Sequence, residues 1–184
     1  MFDLSGPEET LADIYEEHVW HVYGFFGYHR LSRQDAEDLT QATFERATRA
    51  YSRYDPARAG VKTWLMAIAH NLLIDHHRRE RSRRHVSIDA GLDEALLGST
   101  PGPEGRFELS PQLACALATL SEREREVIAL RFGDELSGPE IAALLDLSLA
   151  NVQQIASRAL RKLRARLEAE AGEHRSPASG STRR

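Results

Sequence analysis

The chain has 184 residues, of which 41 % are apolar and 28 % charged, a composition that fits a folded chain of one domain or two small ones. No apolar run approaches the length of about 18 residues that a membrane helix needs, and the acidic N-terminus lacks a basic-then-apolar leader. The lone Cys115 can form neither an internal disulfide nor a cysteine zinc site, so neither membrane insertion nor secretion is expected, and a reducing cytoplasm is.

The net charge of −4 conceals segregation: residues 1–45 carry −8, 46–85 carry +7, 86–110 carry −4 and 111–184 carry +1. Charge sorted this way suits a chain that contacts a polyanion with one part and a different partner with another.

Leu11, Ile14, Tyr15, His18, Val19, Val22, Tyr23 and Phe26 recur at helical steps, and Gly27 marks the end of a first helix. Ser32 with Asp35 reads as the capped start of a second, whose face runs through Ala36, Leu39, Thr43 and Ala47 to about Tyr51. Asp55-Pro56 and Gly60 break the chain. A third helix begins near Thr63, buries Trp64, Leu65, Ile68, Ala69, Leu72 and Leu73, and ends in two nearly apolar-free turns expected to project past the core. Residues 86–110 contain Pro101, Gly102, Pro103 and Gly105 among acids and read as a linker.

Helices resume at Pro111–Ala118 and again behind Ser121, with Glu124 completing a capping box, to about Phe132. Ser137 caps a short helix through Leu145, Asp146-Leu147 turns the chain, and Ser148 caps a long final helix with Val152, Ile155, Ala156, Ala159, Leu160, Leu163 and Leu167 inward. Residues 171–184 read as a disordered tail. No strand pattern occurs, and the fold class is all-α: two small helical domains, 8–85 and 111–170, joined by the flexible segment 86–110, whose composition offers no cohesive interface, so that the domains are expected to move independently or to be clamped together by an inhibitor.

Residues 137–163 form a helix-turn-helix pattern. Its second helix presents Ser148, Asn151, Gln153, Gln154 and Ser157 at its N-terminal part, amide groups suited to base edges. Arg158, Arg161 and Lys162 follow, suited to phosphates. Alone, the pattern also fits a plain helical hairpin with a solvated basic end. Arg78, Arg79, Arg81, Arg83 and Arg84 form a second cationic cluster, either a phosphate site or a solvated charge run, with Lys62, Thr63, Trp64, Asn71 and His76 close by. The acidic helix start Asp35, Glu37 and Asp38 exceeds what a helix dipole needs and suits a basic protein partner. No glycine-rich phosphate loop or nucleophile elbow is present. His18 and His21 lack a third ligand nearby, so no metal, cofactor or catalytic residue is expected.

The order of Asp35-Ala36-Glu37-Asp38-Leu39-Thr40-Gln41-Ala42-Thr43-Phe44, then the Trp64 to Arg79 helix, a linker, Leu120 to Phe132 and the helix-turn-helix resembles an extracytoplasmic-function (ECF) sigma factor of bacterial RNA polymerase. The resemblance covers about residues 8–168. It implies that 8–85 is sigma region 2, with Asp35, Glu37, Asp38, Leu39, Gln41 and Phe44 docking on the polymerase clamp. Lys62, Thr63, Trp64, Asn71, His76, Arg78 and Arg79 would hold and open the −10 element. It implies that 111–170 is region 4, with Ser148, Asn151, Gln153, Gln154, Ser157, Arg158, Arg161 and Lys162 reading the −35 element and the domain touching the polymerase flap. Core RNA polymerase, promoter DNA and an anti-sigma factor are the implied partners, and polymerase carries the catalysis. Family members often have Lys-Ser-Arg after the recognition-helix valine, whereas Gln153-Gln154-Ile155 follows Val152 here, two positive charges fewer. A free-standing regulator of LuxR type would explain residues 121–165 but leave 8–85 unexplained. An adaptor that binds polymerase or an anti-sigma factor without reading promoters is the third reading. Run-off transcription separates the three.

Overall fold

The computed structural model describes residues 10–86 and 109–173, with side chains over 10–83 and 109–169. The linker expected at 86–110 lies almost wholly outside the described residues, as does the tail from 174. α7 continues to Glu173, so the tail does not begin at 171 as expected.

Three helices form the first group: α1 (Leu11–Tyr28), α2 (Arg33–Ala50) and α3 (Val61–Val86). Thr10 and Asp13 close a capping box on α1, and Ser32 caps α2 by accepting from the Asp35 N–H, each satisfying backbone donors that the first turn leaves open. Arg30 adopts φ 60° behind α1, which turns the chain into α2. Tyr51–Arg53 forms one 3-10 turn. Ala57 N–H bonds to Asp55 Oδ1 at 3.0 Å in the loop before α3.

The second group holds α4 (Pro111–Ala118), α5 (Glu122–Ile128), α6 (Gly138–Leu145) and α7 (Leu149–Glu173). Ser121 with Glu124, and Ser137 with Glu140, make capping boxes on α5 and α6. After Ile128 the chain widens into a π turn over Ala129–Gly133, where Asp134 N–H bonds to Ala129 O at 3.0 Å. Asp146 sits at φ 53° as the left-handed cap between α6 and α7. At Gly138 a Cβ would lie 2.8 Å from Leu149 Cδ1, so this glycine lets α7 start close against α6.

The two groups are not independent. Val22, Phe25, Phe26, Leu65, Met66 and Ala69 of the first share one buried apolar cluster with Val127, Ala129, Leu130, Leu136 and Ile141 of the second. α1 packs on the π turn and α3 meets α6. At Gly133 a Cβ would stand 2.8 Å from Tyr28 Cε2, so the two groups touch ring to backbone there. This corrects the expectation of two domains without a cohesive interface: the residues that join them lie in helices whose own inward faces look ordinary in sequence. Nor does the end of α3 project freely, because Arg81 reaches Glu122 at 2.8 Å.

Candidate polymerase and DNA interfaces

The acidic face of α2 comes first in the chain. Glu37, Asp38 and Gln41 are exposed, and Asp35 and Phe44 half-buried. Leu39, expected on this face, is 8 % exposed and belongs to the core. Its position follows from the i, i+4 and i+8 steps Leu39, Thr43 and Ala47, all buried. α1 supplies the other wall. Tyr15, Val19, Trp20 and Tyr23 face Thr40, Gln41 and Phe44 across a groove of about 1120 Å³. Tyr15 and Phe44 meet edge to face at 4.8 Å. The groove is apolar at its floor and carboxylate-rimmed by Glu16, Glu37 and Glu45. That chemistry suits a helical partner with an apolar stripe and basic flanks. Sequence reasoning missed its α1 wall because Tyr15 and Val19 fall on a stripe that also reads as core.

α3 displays two adjacent stripes. Thr63, His70 and His77 repeat at seven-residue steps, and Trp64, Asn71 and Arg78 repeat one position further on, about 100° around the helix. Of the expected −10 residues, Asn71, Arg78 and Arg79 are exposed and Lys62, Thr63, Trp64 and His76 half-buried. The Trp64 ring lies 4.8 Å from that of Tyr54, centroid to centroid, and 6.5 Å from that of Tyr51. Tyr54 in turn donates its hydroxyl to Ala59 O at 3.0 Å. An aromatic cluster is thus held beside the loop that precedes α3. The sequence signal for it was the pair of tyrosines just before Asp55-Pro56. Arg78 is paired with Asp75 at 3.1 Å.

The Thr63 stripe is occupied by the second helical group. Thr63 donates to Glu140 Oε1 at 2.7 Å. Lys62 Nζ stands 4.0 Å from Glu135. His70 Nε2 is 2.6 Å from Glu126 Oε1, close in distance but not aligned as a hydrogen bond. Glu140 is held below the usual carboxylate range by its bonds from Ser137 and then from Thr63. Beneath this rim His29 is buried with neither ring nitrogen bonded. Burial holds its pKa well below the ordinary value, and Arg125, His77 and His70 act the same way. Asp134 is likewise fully buried, and burial raises its pKa well above the ordinary value against the pull of Lys62.

All eight expected −35 residues, Ser148, Asn151, Gln153, Gln154, Ser157, Arg158, Arg161 and Lys162, are exposed. They do not form one surface. Asn151, Gln154, Arg158 and Lys162 follow three- and four-residue steps along one flank of α7. Gln153, Ser157, Arg161 and Arg164 line a groove on the other flank, about 1080 Å³ in volume. Two of the eight already have partners. Ser148 Oγ accepts from the Asn151 N–H at 3.2 Å as the α7 cap, and Lys162 Nζ donates to Glu124 at 2.8 Å. Burial pushes the Glu124 pKa up, but the bonds from Lys162 and Ser121 outweigh it and leave it lowered. Leu160 and Leu167, expected inward, are 43 % and 38 % exposed and face the groove with Phe132 and Leu149. The inward row of α7 is fully served by Val152, Ala159 and Leu163, so the neighbouring leucines form a second apolar stripe left open to a partner.

No group of three or more metal-ligating side chains occurs among the described residues, and His21 instead faces Asp134 at 4.0 Å.

Comparison with known proteins shows the family. The family model for Sigma-70 region 2 matches residues 14–83 and that for Sigma-70 region 4 matches residues 116–165. The chain belongs to the ECF sigma factors of bacterial RNA polymerase. It is 29 % identical over 156 residues to the ECF RNA polymerase sigma factor SigM of Bacillus subtilis (strain 168), covering 85 % of this chain and 94 % of SigM. It is 35 % identical over 145 residues to the RNA polymerase sigma factor CnrH of Cupriavidus metallidurans, covering 74 % of this chain and 75 % of CnrH. Among solved structures it is similar to CnrH in complex with the cytosolic domain of CnrY, with a TM-score of 0.64, 27 % identity and coverage of 90 % and 92 % of the two chains. The sigma factor RpoE in complex with the anti-sigma factor NepR from Bartonella quintana shares the fold, with a TM-score of 0.69 at 24 % identity.

Proposed function

We propose a division of labour within this ECF sigma factor, which directs core RNA polymerase to promoters. Residues 8–85 work as region 2 and 111–170 as region 4. The groove between α1 and α2, lined on α2 by Glu37, Gln41 and Phe44, docks on the polymerase clamp together with Asp35 and Asp38 of the same helix. The Trp64–Asn71–Arg78 stripe, with Lys62, Thr63, His76 and Arg79, holds the exposed strand of the −10 element. Opening needs no bond chemistry from sigma; tighter binding to the unpaired strand than to the duplex is sufficient. Sigma factors are generally not enzymes, and here polymerase supplies the catalysis.

On α7, Asn151 and Gln154 read −35 base edges and Arg158 holds phosphate. The groove lined by Phe132, Leu149, Leu160 and Leu167 receives an apolar segment of polymerase. No described helix is long and apolar enough to cross a membrane, and the proposed site of action is the cytoplasm, with polymerase. CnrH and RpoE are known in complex with CnrY and the anti-sigma factor NepR, and an anti-sigma factor is the proposed regulator here.

One observation carries the reading: two seven-step stripes on α3 beside a tilted Tyr54–Trp64 ring contact, on a chain that also carries a capped helix-turn-helix. Permanganate footprinting of holoenzyme on a promoter it transcribes tests it. Lys62→Ala with Asn71→Ala is expected to lose thymine reactivity at −10 while −35 protection persists. Unchanged reactivity would contradict the α3 assignment.

A further inference from the structure

The second helical group sets four carboxylates against α3. Glu140 accepts from Thr63, Glu126 lies against His70, Glu122 takes Arg81 with both oxygens, at 3.0 and 2.8 Å, and Glu135 stands 4.0 Å from Lys62. Thr63, His70, His77 and Arg81 are successive positions of one helical face, so the acids form a row along it rather than isolated contacts. A row of carboxylates spaced along a polar, basic helix repeats what a phosphate backbone would offer there. The row borders the neighbouring Trp64–Asn71–Arg78 stripe, so a nucleic-acid strand laid on that stripe would meet negative charge along one edge.

We infer that α5, the π turn and α6 act as an internal DNA mimic. In the free protein they engage Lys62, Thr63 and Arg81 and oppose strand binding to α3, and the −10 surface is completed only when polymerase draws the two helical groups apart. This rests on the −10 assignment of α3 given above. The apolar contact makes the closure a definite state: Tyr28 sits on the Gly133 backbone, and the buried cluster runs through both groups. The Arg81–Glu122 pair is exposed and the Lys62–Glu135 pair is exposed on its acidic side, so water screens both and each contributes modestly. A closure held this way yields to a large partner surface while discriminating against free DNA.

Two unrelated variants of the full chain test this. Gly133→Ala drives a methyl group into the Tyr28 ring without altering any charge, and the Gly133 backbone is not in the left-handed region. Glu126→Gln with Glu140→Gln removes two carboxylates, and the capping box of α6 tolerates glutamine. Glu168→Gln removes an equal kind of charge from the exposed far part of α7. Small-angle scattering reads the separation of the groups. Fluorescence anisotropy with a labelled single-stranded DNA of mixed sequence reads the α3 surface, and circular dichroism checks that each variant is folded. The expected result is a larger radius of gyration and several-fold tighter strand binding for both opening variants. Glu168→Gln should change neither quantity, and bound polymerase should erase the differences. Opening without tighter strand binding would overturn the inference. So would equal tightening in Glu168→Gln, or no change in either opening variant. Failure of the −10 assignment shows differently: Lys62→Ala and Arg78→Ala holoenzymes would then open promoters normally, whatever the scattering reports.

Discussion

Thr63 and Glu140, 77 residues apart, share a 2.7 Å hydrogen bond that ties the start of α3 to the first turn of α6. Glu140 spends its other oxygen on the Ser137 backbone and hydroxyl, so one carboxylate both caps its own helix and fastens the neighbouring group. Thr63→Val is expected to leave the cap intact and lower unfolding stability by about 1 kcal/mol, the usual net value of one such bond. Chemical denaturation checks it. A loss as large as that of a core deletion would mean that the bond anchors much more than the join.

His29 gives the closed protein an acid limit. Burial, then Arg125, His77 and His70, hold its pKa well below 6.5 in the folded state, while the unfolded chain protonates near that ordinary value. The folded state therefore binds fewer protons than the unfolded one as pH falls below about 6.5, and stability is lost there by up to about 1.4 kcal/mol per pH unit. His29→Phe, beside the Phe25 ring at 4.8 Å, should flatten this slope. Urea midpoints measured across the acid range report it, and a slope unchanged in His29→Phe would assign the effect elsewhere.

Asp134 works in the opposite sense. Burial raises its folded pKa well above the ordinary carboxylate value, so the folded state keeps a proton that the unfolded state releases, and stability falls as pH rises through that interval. Asp134→Asn should stabilise the protein at neutral pH by about 1–3 kcal/mol, the cost range of an uncompensated buried polar group. A destabilised variant would show that the carboxylate has a partner that geometry alone does not reveal.

On α2 the structure separates two neighbours. Asp38→Arg with Phe44→Ala is expected to weaken core polymerase binding and leave the fold intact. Leu39→Ala should instead cost about 2–5 kcal/mol of stability, as a buried leucine does, because Leu39 packs inside. Fluorescence titration with core polymerase and thermal unfolding, run on both, distinguish an interface from a core position.

Promoter reading should divide along the flank of α7. In the holoenzyme, Gln154→Ala is expected to cost about 1–3 kcal/mol at particular −35 base pairs and little elsewhere. Arg158→Ala should weaken all sequences alike and reduce the salt slope by about one. Equal, sequence-independent losses would mean that α7 enters the groove in another orientation.

The helices were legible because their punctuation is local: Ser32, Ser121 and Ser137 each cap where the sequence placed them. Site chemistry was legible where charge or amide groups cluster on one helix. What sequence did not carry was which apolar stripe meets which. Leu39 and Phe44 both read as available to a partner, yet one is core and the other lines a groove. Leu160 and Leu167 read as inward, yet Val152, Ala159 and Leu163 already fill that row. The join between the groups depends on Gly133 lying under Tyr28 and on a π turn that shifts register after Ile128. Neither has a local signature, since both answer to contacts far away in sequence.

Promoter-directed initiation is proposed to use α3 and α7 as the reading surfaces. Run-off transcription with purified core polymerase on fragmented genomic DNA of the host bacterium, followed by sequencing of transcript ends, tests it most directly. The expected result is a defined set of start sites that share −10 and −35 elements, lost with Lys62→Ala plus Asn71→Ala and altered at −35 with Gln154→Ala. Transcripts no different from those of core polymerase alone, or start sites indifferent to both variants, would rule out α3 and α7 as promoter-reading surfaces.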